Sequence, residues 1–131
     1  MTKKRIVLAS AMISLAVLLA PGCYKSTTVD LSSDLEITRE VSYTGDIAPI
    51  FEKSCSLSGC HNAGGIAPDL STANAYNSLI NSDYLDLDNP ENSKLYGFVS
   101  GSLTPVMPVS GVDPEIAATI LAWIKQGAQN N

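Results

Sequence analysis

Cys55-Ser56-Leu57-Ser58-Gly59-Cys60-His61 is the stretch on which the reading of this chain turns. Four residues separate two thiols, and an imidazole follows the second thiol directly. Ser56, Ser58 and Gly59 are small enough to let the intervening residues loop out, so that both sulfurs can face one side. The chain holds 3 cysteines and 1 histidine in 131 residues, so this heptapeptide contains two of the cysteines and the sole histidine. Two chemistries open to such a cluster are simple. The thiols can close a small disulfide loop in an oxidising compartment. They can ligate zinc, but zinc takes four protein ligands, or three and a water, and only Cys55, Cys60 and His61 gather here.

A third reading is covalent attachment of haem c. It requires two thiols to add to the two vinyl groups and an imidazole beside the second thiol to reach the iron from the same side. The usual spacing is C-x-x-C-H, and this chain has C-x4-C-H, two residues longer. Beyond residue 22, Met107 is the one methionine, and it lies between Pro105 and Pro108. Histidine and methionine are a standard axial pair for haem iron, one that raises the reduction potential. Sulfur is a soft donor that suits iron in this setting. The expected cofactor site is therefore Cys55, Cys60, His61 and Met107, with His61 and Met107 on the metal.

Outward from the motif, the pattern is helical. Asp46 is the expected N-cap of a first helix that places Ile47, Ile50, Phe51 and Ser54 on one face, with Pro49 in its first turn. Gly64-Gly65 and Pro68 mark irregular chain. Ser71 or Thr72 is expected to cap a short helix through Ile80, with Tyr76, Leu79 and Ile80 inward. Asn89-Pro90-Glu91 is expected to start another through Val99, burying Leu95, Phe98 and Val99 and ending at Gly101. Asp113-Pro114-Glu115 combines an N-cap, proline at the first position and an acid in the first turn. The helix that follows carries Ile116, Ala117, Ile120, Leu121, Trp123 and Ile124 in one wide stripe, and Gly127 is its expected C-cap. An edge strand over Leu35 to Val41 is the competing reading of the residues before the first helix. The fold class expected is all-α.

The first 22 residues read as a secretory signal: Lys3, Lys4 and Arg5, an apolar run from Ile6 to Ala20, then Pro21 and Gly22. The run is shorter than the roughly 20 residues a membrane span needs. Leu18-Leu19-Ala20-Pro21-Gly22-Cys23 resembles the bacterial lipobox, with Gly22 in place and Ala20 where leucine is usual. That resemblance implies cleavage before Cys23 and its acylation, and two or three acyl chains give stable anchoring. Residues 23–40 then read as the lipidated N-terminus and a polar tether, and residues 41–131 as the domain. All 13 acidic residues lie beyond residue 22 and three of the 8 basic ones lie before it, leaving a formal net charge of −8. Such a surface disfavours nucleic acid and anionic lipid and is compatible with a basic redox partner. A domain of this size commonly relies on a staple or a cofactor for stability.

Taken in order, several short stretches resemble a class I cytochrome c domain of the monohaem, exported lipoprotein kind. They are Asp46-Ile-Ala-Pro-Ile-Phe51, Cys55…Cys60-His61, Ala67-Pro68-Asp69-Leu70, Val106-Met107-Pro108 and Ile120-Leu-Ala-Trp123-Ile124-Lys-Gln-Gly127-Ala128. The resemblance covers residues 43–128. It implies a small cytochrome c-like domain in which the N- and C-terminal helices cross and short helices surround a haem pocket. It also implies that the Pro68 carbonyl accepts a hydrogen bond from His61, fixing the ring. Leu70, Leu79, Leu95, Phe98, Ile120 and Trp123 are expected to supply the apolar pocket.

The function expected is single-electron transfer by one covalent haem c, with electrons passing at the haem edge near Cys55 and Cys60. The protein would be exported, tethered to a bacterial membrane through Cys23, and would face the periplasm or the cell exterior. Its partners would be redox proteins. No small-molecule substrate, nucleic acid or catalytic residue is expected, because one histidine and scattered carboxylates offer no acid/base pair. Two alternatives stay open. One is a non-redox binding module with a Cys55–Cys60 disulfide. The other is a haem enzyme or sensor with an open sixth site.

Overall fold

The computed structural model of the protein describes residues 35–131. The segment expected to be a signal, Cys23 and the expected tether up to residue 34 lie outside the described residues. Among those described, the architecture is helical and contains no strand, so the all-α expectation stands and the edge strand over Leu35 to Val41 does not form.

The first helix begins earlier than expected. A widened π-type turn, Tyr43–Ile47, leads into α1, Ala48–Ser54. Ser42, not Asp46, is the N-cap: its hydroxyl accepts from the Gly45 N–H at 3.1 Å. Asp46 lies inside the turn and works in reverse. Its carboxylate accepts the Ser42 N–H at 2.9 Å, as in a capping box, and also receives the Arg39 guanidinium at 2.8 and 2.9 Å. The turn donates across five residues, from Ala48 to Tyr43, and Pro49, which has no N–H to give, follows at once.

The second helix, α2, spans Ala75–Ile80. Neither Ser71 nor Thr72 caps it. Asp69 accepts both the N–H and the hydroxyl of Ser71, and the Thr72 hydroxyl donates to Glu52. With those groups engaged, the helix starts after Asn74, which makes no side-chain cap bond. Leu79 is fully buried, while Tyr76 and Ile80 are half-buried against the core.

The helix expected from Asn89 to Val99 is broken in two. A 3-10 turn, Pro90–Asn92, is followed by extended Ser93 and then by α3, Lys94–Ser100. Ser93 is buried, and its hydroxyl accepts the Asp86 N–H at 2.9 Å, which holds the break in place. The break resets the helical phase. Leu95 and Val99 are buried as expected, but Phe98 is only half-buried.

The last helix, α4, spans Pro114–Lys125 and follows its sequence signals closely. Asp113 accepts from the N–H groups of Glu115 and Ile116. At the other end Gly127 takes φ +91°, its N–H donates to Ile124, and the Ala128 N–H donates to Trp123. That pairing is a Schellman stop, which needs a residue tolerant of the left-handed region. α4 buries Ala117, Thr119, Ile120, Ala122, Trp123 and Ile124, and leaves Ile116 and Leu121 half-buried. It packs against α3 and against the Tyr43–Ile47 turn. Tyr43, Tyr76 and Trp123 meet there, with ring centroids 5.2, 5.7 and 6.4 Å apart. Edge-on and tilted aromatic contacts of this kind add to the area they bury.

Candidate functional site

α1 ends where the motif begins. The N–H of Cys55 still donates to Phe51, and Cys55 itself is buried in the core. The four residues between the cysteines form a turn closed by the Cys60 N–H on the Leu57 carbonyl at 2.9 Å. The His61 N–H then donates to the Cys55 carbonyl at 3.1 Å, so the two ends of the motif are tied together. Both thiols are free, with Cys60 half-exposed. Burial, and then the neighbouring Cys60, push the Cys55 thiol up to about 11, so it is protonated at neutral pH.

The ring of His61 is held from one side. Its Nδ1 lies 3.0 Å from the Ile66 carbonyl and 3.2 Å from the Pro68 carbonyl. Two acceptors at that nitrogen require it to carry a proton, so in the neutral ring the lone pair is on Nε2. Pro68 is buried, and beyond it the Leu70 N–H donates to the His61 carbonyl at 2.7 Å. Ile66 carries no side-chain signal for this contact and was not legible as a partner. The only hint is the Gly64-Gly65 pair before it.

Cys55, Cys60, His61 and Pro68 thus share one loop. Met107 stands in another, over residues 101–113, that leans on α3. The Met107 N–H donates to the Phe98 carbonyl at 2.9 Å, and the Leu103 N–H donates to Gly97 at 2.8 Å. Met107 is half-buried. Of the six residues expected to line a pocket, Leu70, Leu79, Leu95, Ile120 and Trp123 are in the buried core.

The residues present fit a c-type haem. Two free thiols and an imidazole with its tautomer fixed lie in one loop. Leu57 and Ile66 leave apolar surface open beside them, at 48% and 63% exposure. The Asn62 amide oxygen, next to His61, is buried without a partner. Among the described residues no three His, Cys, Asp or Glu side chains gather as a metal-binding group. A separate cleft of about 390 Å³ lies between Thr38, Val41 and Trp123; of the residues expected at the site or its pocket, Trp123 lines it, and Cys55, Cys60, His61, Pro68 and Met107 do not. No family model matches this chain, and no curated protein or solved structure matches it either.

Proposed function

We propose that this protein is a single-haem electron carrier: a small cytochrome c-like domain, exported and tethered to a bacterial membrane through an acylated Cys23. The observation that carries the reading is the loop from Cys55 to Pro68, which combines two free thiols with an imidazole held at Nδ1 and free at Nε2. Such a backbone partner on the far nitrogen is how ligating histidines are oriented and made more basic. When bound, the haem supplies a one-electron iron couple.

The residues would divide the work as follows. Cys55 and Cys60 hold the group by two thioethers. His61 would present Nε2 to the iron, with its Nδ1–H held by the Ile66 and Pro68 carbonyls. Met107 would offer its thioether sulfur to the iron, from a backbone held by its N–H on the Phe98 carbonyl. Leu57 and Ile66 provide an apolar rim at which a redox partner protein can approach.

The test is the absorption spectrum of protein made with a haem-maturation system, before and after dithionite, together with haem staining on a denaturing gel. A sharp reduced band of c-type shape, with haem that stays on the denatured chain, is the expected result. A weak far-red band in the oxidised state reports sulfur from Met107. A chain without a Soret band, whose thiols react only after reduction, would sink this reading in favour of a disulfide-stapled binding module.

A further inference from the structure

The turn that follows the motif is closed by two backbone hydrogen bonds. The Gly65 N–H donates to the Asn62 carbonyl at 2.8 Å, and the Ile66 N–H donates to the Cys60 carbonyl at 2.8 Å. Together they fold residues 60–66 back on themselves and aim the Ile66 carbonyl at His61. The fold-back has almost no room. A Cβ on Gly65 would lie 2.2 Å from the Cys60 carbonyl oxygen and 2.7 Å from the Asn62 amide oxygen. The first of these is backbone, so it cannot swing away as a flexible side chain would.

We propose that Gly65 and the Ile66 carbonyl are positioning elements for the His61 ligand, and that Ile66 is a second acceptor sharing the Nδ1 proton with Pro68. This rests on the haem reading above. Two carbonyls on one N–H restrain the ring about two directions, whereas one leaves it free to tilt. They also draw the Nδ1 proton outward and make Nε2 a stronger donor to iron, which favours the oxidised state. The path from sequence to potential therefore runs through a residue with no side chain. Gly65 permits the turn, the turn aims the Ile66 carbonyl, and the carbonyl orients the His61 ring.

The experiment compares the wild-type chain with Gly65→Ala and with Leu87→Ala, which removes an exposed side chain outside both loops. Nitrogen NMR of the His61 ring reads the tautomer without haem, and redox titration of the haem-loaded protein reads the potential. In the wild type the Nδ1–H tautomer is the only one seen, and a scalar coupling across the hydrogen bond links Nδ1 to the Ile66 carbonyl carbon. In Gly65→Ala the tautomer ratio falls roughly fivefold, the effect of one typical hydrogen bond, and the potential rises with the Met107 band retained. Leu87→Ala changes neither. If Gly65→Ala keeps its haem, its tautomer and its potential, the second acceptor has no role while the electron-carrier reading stands. If Gly65→Ala does not fold, the wild-type coupling decides, and its absence overturns the proposal. A wild-type chain that takes no haem removes the tuning role along with the functional reading.

Discussion

The loop of residues 55–70 and the loop of residues 101–113 carry the two halves of the candidate site, and they are built differently. The first is bonded to itself: Cys60 to Leu57, His61 to Cys55, Gly65 to Asn62, Ile66 to Cys60 and Leu70 to His61. It ends in buried Pro68 and Leu70. The second hangs on α3 through the N–H groups of Leu103 and Met107, with Gly111 to Pro108 as an internal bond. It exposes Leu103, Val109 and Val112 at 41, 83 and 47%. The histidine side is therefore preorganised by its own backbone, whereas the methionine side depends on the helix it leans on.

The largest expected effect is chemical. A Cys55→Ser, Cys60→Ser double variant is expected to lose all haem that survives denaturation, as seen on a stained gel. Met107→Ala should keep the haem attached and lose only the far-red band, with a lower potential. Equal loss in both would mean that the loops are not independent.

Next in size is a pair of glycines. In Gly65→Ala the new methyl meets a backbone oxygen, and we expect about 3 kcal/mol of destabilisation, the upper end for overpacking. In Gly97→Ala it meets Leu103 Cδ1 at 2.6 Å and Cγ at 2.7 Å, a side chain on the exposed loop that can yield. About 1 kcal/mol is expected there. Urea titrations of the two variants provide the check, and a reversed order would overturn the contrast. A gentler version needs no substitution. Hydrogen exchange at the amides of His61, Ile66 and Leu70 should be about tenfold slower than at Leu103, Met107 and Gly111.

The smallest effect lies outside both loops and serves as their control. The Arg39 guanidinium, aided by the Ser42 N–H, holds the Asp46 carboxyl below the usual carboxylate range. A depressed folded-state value means that the contribution is present above the unfolded value and is lost as pH falls through the folded one. Asp46→Asn should cost less than about 1 kcal/mol at pH 7, because the pair is partly exposed and screened. The gap from wild type should close on acidification through that carboxylate range, with the haem spectrum unchanged throughout. A gap that widens on acidification would contradict the assignment.

Where a local rule was strong and unopposed, it was legible. Asp113-Pro114-Glu115 and Gly127 bound α4 where their chemistry requires. Where two residues compete for one role, local sequence does not decide between them. Asp46 does act on the first helix, but from within, because Ser42 four residues earlier supplies the hydroxyl that caps it. The phase of α3 depended on Ser93, whose burial is set by the distant Asp86 N–H and not by any periodicity. In the candidate site the thiols and the imidazole are visible by residue type. The Ile66 carbonyl is not, since every residue has one and only the folded turn decides where it points.

Asn131 rests on the first turn of the chain's helical part. Its carbonyl oxygen accepts from the Thr44 N–H, the Thr44 hydroxyl and the Ser42 hydroxyl, and its side chain joins Tyr43 and Glu40. The two ends of the folded unit therefore meet at one spot. A pull between residues 42 and 131 would load these bonds first, one row at a time, in the manner of a zip. Until they part, no tension reaches the loop that holds His61, so a stretched domain would keep its site intact while its ends give way.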